Sequence, residues 1–345
     1  MTKTLKSRAI DIDLIKIVAI VCVLIIHTCR YTAPVMSGQW LSTLFWGSVS
    51  RAAVPLFFMC SGAIFLEPSR ELTVKKLYLK YILRILVALF FWAYIYKVYF
   101  LIDAGTLSLS GLIFAAKETL LFKHYTHFYY LHIILLFYAL MPIFRVFVKN
   151  ATDSELRYAL LIWFAVGILY PTLSPYWPFT LLSGMPKQWL LNMTYASVGY
   201  GLLGYYLKKR TPSLKISVPM ALAGFAVVFG GTAIFSNINQ RLDTRFFEGM
   251  TVGVMLLAFG LFGICCKISF GVSDKLIPVI GYISKGSFCV YLVHLILMDK
   301  LVDLSILPDS LPILLVPAIS LMLLVLCLVI YFILSKIPVV NKWLV

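Results

Sequence analysis

Acidic residues are scarce in this chain, 14 Asp and Glu against 30 Lys and Arg in 345 residues, and charged residues of all kinds reach only 13%. A soluble domain carries roughly 25% charge and roughly 45–50% apolar residues, so this composition excludes an ordinary globular enzyme and a disordered chain alike. Polar linkers, low-complexity stretches and internal repeats are also missing. Their absence argues against a second soluble domain and against the paired halves of many transporters. Seven cysteines, Cys22, Cys29, Cys60, Cys265, Cys266, Cys289 and Cys327, fall mostly inside or beside apolar runs. Their spacing makes neither a disulfide framework nor a zinc site. What the chain has in abundance is apolar side chains, 61% of all residues, with a mean hydropathy of +0.95.

Runs of about 20 apolar residues cross a bilayer core. Ten such runs are predicted here, near 12–30, 41–66, 80–102, 127–147, 158–174, 189–207, 216–236, 248–266, 279–299 and 312–335. The expected fold is therefore all-α, a polytopic integral membrane bundle of about ten transmembrane helices, forming one domain over residues 1–345. The first run continues through His27 to Thr28 and Cys29 without a small-x-small cleavage site, so it is expected to stay as an anchor. With the N-terminus inside, the inner segments hold 18 Lys and Arg and the outer segments 7. That asymmetry places both termini in the cytoplasm by the positive-inside rule. The net charge of +16 is mostly this topology signal together with attraction to anionic lipid headgroups. The cations are spread over separate loops, so nucleic acid is not an expected partner. Between 103 and 126 the stretch LSGLIFAAKETLLF repeats its apolar residues at helical spacing. It predicts a short helix lying in the interface plane, covering an outer opening, or resting on the bundle.

Polar groups inside the spans carry the functional argument. Lys16 and His27 stand eleven residues apart around the run IVAIVCVLII, and eleven helical steps return to within about 20° of the same face about 16 Å higher. A cation and an imidazole on one stripe are costly in lipid and mark a functional pathway. The plainer alternatives are that Lys16 snorkels to the headgroups and that His27 is a buried, hydrogen-bonded histidine. Asp13 lies one turn before Lys16 on that stripe. Arg51 opens RAAVPLFFMCSG, where Pro55 frees a backbone carbonyl and Ser61-Gly62 allows close helix approach. Kinked packing accounts for the proline and glycine but leaves Arg51, a planar fork suited to phosphate or carboxylate, without a purpose. In KKLYLKYILR, Lys76, Lys80 and Arg84 share one helical face at the cytoplasmic mouth of the third span. His124, His127 and His132 cluster in HYTHFYYLH, with no carboxylate or cysteine at ligand spacing, so no metal site is expected. Tyr291 and His294 in FCVYLVH share a face.

These segments together resemble the acyltransferase 3 family of integral membrane acyltransferases. The matching stretches are IDLIKIVAIVCVLIIH, SRAAVPLFFMCSG, LKYILRIL, HFYYLHIILLFYALMP and FCVYLVH, in the family's order. Within the family the chain looks most like compact members that O-acetylate surface polysaccharides, such as the O-acetyltransferase of enterobacterial common antigen. The resemblance implies a bacterial plasma (inner) membrane enzyme with no tightly bound cofactor. Its donor substrate would be an acyl-CoA, usually acetyl-CoA, and its acceptor a hydroxyl of a polysaccharide or lipid-linked sugar. It carries the essential histidine over to His27 and its partner cation to Lys16, and points to Arg51, Arg84, His127, Tyr291 and His294. Tyr129-Tyr130 stand where the family commonly has Trp-Phe, and many members have arginine at the Lys16 position.

Acyl transfer to an alcohol needs a base, donors for the developing oxyanion and a hold on the polyanionic donor. His27 is the expected base, acting directly or through an acyl-imidazole. Lys16, Lys80, Arg84 and Arg51 are expected to hold donor phosphates, with Asp13 holding Lys16 and Ser61 nearby. A transporter or flippase of lipid-linked glycans or small acids is the rival reading, since buried cations and a proline-broken span fit it too. Cations gathered at one mouth below a single deep histidine favour the enzyme.

Overall fold

The computed structural model describes residues 9–30, 40–181, 191–304 and 313–345. Among these the chain is helical, with no strand. The helices are α1 (Ile10–Arg30), α2 (Trp40–Val49), α3 (Ala53–Phe65), α4 (Val74–Lys76), α5 (Leu83–Asp103), α6 (Leu109–Leu120), α7 (Tyr129–Asn150) and α8 (Asp153–Trp163). They are followed by α9 (Tyr170–Leu173), α10 (Met193–Lys209), α11 (Leu214–Asn239), α12 (Val252–Ile268), α13 (Ile277–Asp303), α14 (Leu315–Leu334) and α15 (Pro338–Trp343). Nine helical stretches among the described residues are long and apolar enough to cross a membrane. α10, with 17 residues, covers most of the remaining expected span, 189–207. The architecture is thus the polytopic helical membrane bundle that hydropathy predicts. Lys3, Lys6, Arg8 and Lys187 of the topology count lie outside the described residues.

α1 is the central post of the bundle. It packs against α2, α3, α12, α13 and α14, and its residues Ile15, Ala19, Ile20 and Leu24 are fully buried. Helices nearer the periphery show lipid an apolar face, with Leu222 and Ile234 on α11 and Leu321, Val325 and Val329 on α14 all exposed. Surface that would be an aggregation hazard in water is the solvated surface in lipid. α6 rests on α5 and leaves Leu109, Ile113, Phe114 and Leu120 exposed. The 103–126 stretch therefore forms the expected helix, resting on the bundle with an outward apolar face.

The basic groups collect at one end. Lys208 at the end of α10 pairs with Asp11 at the start of α1, and Lys209 and Arg210 pair with Asp153 at the start of α8. Arg145 on α7 donates to the carbonyls of Phe65, Glu67 and Arg70, which fixes the turn after α3. The chain end is held there as well: Arg84 donates to the Val345 carbonyl oxygen and Trp92 Nε1 donates to Leu344 O at 2.9 Å.

Two departures from regular helix position the site. The expected span 41–66 is broken at residues 50–52 into α2 and α3. Pro55 has no N–H to give to the Arg51 carbonyl and its ring crowds that turn, so the break falls one turn before the proline. Arg51 is thereby placed at the break rather than within a continuous helix. Residues Leu77–Ile82 form a π turn, whose wider winding turns Lys80 off the face that carries Arg84.

Backbones meet most closely where α3 crosses α10. A Cβ built on Gly62 would overlap the Gly201 carbonyl, and one on Gly204 would overlap that of Met59. Only hydrogen fits at such a crossing, the usual small-residue solution in membranes. Gly62→Val is expected to separate the helices and abolish recovery of monodisperse protein, read by fluorescence-detected size exclusion; a wild-type profile and melting curve would contradict the close approach.

Candidate functional site

Polar residues inside the bundle contribute to the lining of two cavities, of about 620 Å³ and about 570 Å³. The larger is bordered by His27, Arg51, His127, Tyr129, Arg245, Phe247 and Glu248, and the smaller by Lys16, Ser61, Arg70, Arg84, Ser284 and Lys285. Tyr130 and Tyr291 border both. Their rings meet edge to face with centroids 5.7 Å apart. The smaller cavity belongs to the basic end, which the positive-inside pattern assigns to the cytoplasm, and the larger belongs to the opposite end. Lys16 and His27 thus border different chambers, and the tyrosine pair belongs to the lining of both.

Three imidazoles converge in and behind the larger chamber. The rings of His27 and His294 have centroids 4.9 Å apart, and those of His127 and His294 lie 5.7 Å apart at 90°. His127 is 6% exposed, and neither of its ring nitrogens has a hydrogen-bond partner among the described residues. Its backbone is held by the Tyr291 hydroxyl, which donates to His127 O at 2.6 Å. Its ring is packed by Tyr96 at 5.0 Å, and Tyr96 is tied in turn to α13 by a 3.0 Å hydrogen bond to Leu292 O. His294 is fully buried and borders neither chamber. Its ring lies beside those of His27 and His127. Of the expected histidine cluster, His124 and His132 face each other with Nδ1 and Nε2 3.1 Å apart.

Arg51 belongs to the larger chamber. Its guanidinium carbon lies 3.7 Å above the centre of the Phe247 ring, and Nε donates to Gly47 O at 3.2 Å. Placing it with the phosphate-binding cations is therefore corrected: the helix break sends it toward His27, away from the basic end. Arg245, on the same chamber wall, is gripped by Asp243 through Nε at 2.8 Å and 3.0 Å. The hydrogen bonds from Arg245 hold the Asp243 carboxyl well below its usual range, at about 2, so this pair stays charged at every ordinary pH.

The smaller chamber brings together Lys16, Arg70, Arg84 and Lys285, and no carboxylate side chain among the described residues borders it. Arg70 is oriented by donating to the Tyr81 hydroxyl at 3.0 Å, on a turn that Arg145 fixes from below. Ser61 Oγ and the Tyr138 hydroxyl are 3.4 Å apart. The Asp13 carboxylate accepts a hydrogen bond from Ser284 Oγ on α13 at 2.5 Å. One further expectation is corrected. Lys80 is exposed and borders neither chamber, its ammonium 5.7 Å over the Tyr81 ring, because the π turn rotates it outward.

Sequence reasoning treated Arg70 and Arg245 only as topology charges and Lys285 as an irregularity in a span, and it passed over Tyr130 as a role. For Lys285 a signal was available, since an ammonium nine residues before His294 in an apolar segment is costly without a polar lining. Arg70 and Arg245 lie in connecting turns, where nothing local separates a site cation from a headgroup cation.

Such a bundle, with two internal polar chambers whose linings share Tyr130 and Tyr291, defines an integral membrane protein with internal space for a reaction or binding site. The family model described as acyltransferase domain, acyltransferase 3, matches residues 10–332, and the chain belongs to that family of membrane acyltransferases. No curated protein and no solved structure matches the chain. The narrower likeness to the enterobacterial common antigen enzyme is not supported.

Proposed function

We propose that the chain is an O-acyltransferase of the bacterial plasma (inner) membrane. It moves an acetyl or other short acyl group from cytoplasmic acyl-CoA to a hydroxyl of a surface or lipid-linked polysaccharide. The observation that carries this reading is the pair of chambers meeting at Tyr130 and Tyr291, one with four cations and no carboxylate side chain among the described residues, the other with His27 and His127. A CoA nucleotide brings several phosphate charges, and Lys16, Arg70, Arg84 and Lys285 supply charge and planar forks for them. The pantetheine arm then points its thioester at the tyrosine pair. From the other side, aromatic faces at Tyr129 and Phe247, with Arg51 and Glu248, suit a sugar ring and its hydroxyls.

In the reaction the acceptor hydroxyl gives its proton to His27 as its oxygen bonds to the thioester carbonyl carbon. The C–S bond breaks when the tetrahedral intermediate collapses, and the proton passes from His27 to the departing CoA sulfur. Arg51, fixed over Phe247 on the wall of that chamber, supplies a charged fork for the developing oxyanion. Excluding bulk water from the junction protects the thioester from hydrolysis.

Purified protein in liposomes, given acetyl-labelled acetyl-CoA inside and bacterial envelope polysaccharide outside, is expected to place label in the glycan with equal release of CoA. Movement of glycan across the bilayer without label in it would replace the enzyme with a transporter.

A further inference from the structure

His294 has a hydrogen-bonding state that the structure defines. Its Nδ1 lies 2.8 Å from Tyr291 O and 3.1 Å from Val290 O. Carbonyl oxygens only accept, so Nδ1 carries the proton and, in the neutral ring, Nε2 carries the lone pair. That Nε2 is buried and has no hydrogen-bond partner among the described residues, although His294 is fully buried. An acceptor left so is costly, and the nearest imidazole to answer it is His27, with ring centroids 4.9 Å apart. The same molecule shows what that spacing means: His124 and His132, which share a 3.1 Å N···N contact, have centroids 5.1 Å apart. The His27 and His294 rings are already at the centroid spacing of that hydrogen-bonded pair, with their planes 54° apart. Catalytic hydrogen bonds in unliganded sites are often loose and tighten on binding.

We propose that His294 is the positioning residue of His27: its Nε2 accepts the N–H of the His27 ring, so that the opposite nitrogen of His27 presents its lone pair to the larger chamber. The device is the familiar one in which a buried acceptor selects the tautomer and orientation of a base, with an imidazole locked by its own helix backbone in place of a carboxylate. His127 is the other imidazole beside His294, but its ring is farther and perpendicular. The kinetic arm of the test rests on the acyltransferase reading; the chemical arm does not.

The chemical arm measures carbethoxylation of His27 by diethyl pyrocarbonate at fixed pH, located by mass spectrometry on the full-length detergent-solubilised protein. Gln places its side-chain oxygen near the Nε2 position, whereas Asn and Leu put no acceptor there. The His294→Gln variant is expected to react at His27 within about twofold of wild type, and His294→Asn and His294→Leu about tenfold more slowly, the size of one net hydrogen bond. Should His294→Leu not fold, the contrast between the Gln and Asn variants decides. Equal His27 rates in all variants, or a change at His127 with none at His27, would overturn the proposal. In the kinetic arm, with labelled acetyl-CoA and envelope polysaccharide, His294→Asn lowers kcat about tenfold with an unchanged KM for acetyl-CoA, and His294→Gln restores it. A raised KM with unchanged kcat would assign His294 to donor binding. If wild type transfers no label, the function reading fails while the carbethoxylation rates still decide the role of His294.

Discussion

His27→Ala is expected to reduce acyl transfer at least about a thousandfold, or about 4 kcal/mol in the barrier, while the protein still inserts and purifies as wild type. The size follows from the task. An alcohol is a poor nucleophile at neutral pH, and a positioned base contributes about 10²–10⁴ in rate. The other imidazole bordering that chamber, His127, has its backbone tied to Tyr291 and its ring wedged among aromatic rings. It is not free to take over the task without repacking. Insertion survives because α1 is held by Ile15, Ala19, Ile20 and Leu24, all fully buried, and by Thr28, whose hydroxyl lies 3.1 Å from that of Ser320 on α14. The measurement is label transferred per mole of monodisperse protein. Transfer within about tenfold of wild type by such a sample would remove His27 from the chemistry.

Much of the bundle was legible because hydropathy is a local property and the bilayer sets a fixed length. The helix Asp153–Leu173 begins well before the expected 158, and the sign was there to be read: Thr152 and Glu155 form a reciprocal cap, with Glu155 N donating to Thr152 Oγ1 at 3.2 Å and Thr152 N donating to Glu155 Oε2 at 2.6 Å. The break before Pro55 was half legible. A proline announces a disturbed turn, but whether the helix bends or breaks depends on what receives the freed Arg51, here the face of Phe247 nearly two hundred residues away. The π turn at 77–82 has no signature in its residues, since it is settled by packing of both flanking turns, and it cost the reading of Lys80.

The site divides in the same manner. Residues on one helix, such as Lys16 with His27 or Tyr291 with His294, follow from period alone. Their partners do not. Asp13 stands at the step of Lys16 on α1, yet its carboxylate also accepts from Ser284 on α13. Of the three clustered histidines, it is His124 and His132 that come into hydrogen-bond contact. Side-chain partners in a bundle are chosen across helices, and crossing geometry is set by contacts such as Gly62 on Gly201 that a single helix does not encode. The tyrosine pair that borders both chambers is of this kind: Tyr130 on α7 and Tyr291 on α13 meet only after three elements have packed around His127.

The division into chambers makes a second strong prediction, in which cations of the two cavities respond differently. Lys16→Gln with Lys285→Gln removes two of the four cations from a chamber that has no side-chain carboxylate among the described residues to replace them as a partner. One charge-assisted hydrogen bond is worth about 1.5–3 kcal/mol, so each single variant is expected to weaken acetyl-CoA binding about tenfold or more, and the double variant about a hundredfold or more. Because the interaction is ionic and open to the aqueous side, wild-type affinity should fall as salt rises, and the double variant should respond less steeply. Arg51→Gln, in the other chamber, should leave the acetyl-CoA dissociation constant unchanged and lower kcat instead. Equilibrium binding of labelled acetyl-CoA at two salt concentrations, beside turnover, checks all three. If Arg51→Gln weakens binding as much as the lysine pair does, the donor reaches past the tyrosines with its phosphates and the two-chamber assignment is wrong; if the lysine pair leaves affinity unchanged, the smaller chamber is not the nucleotide site.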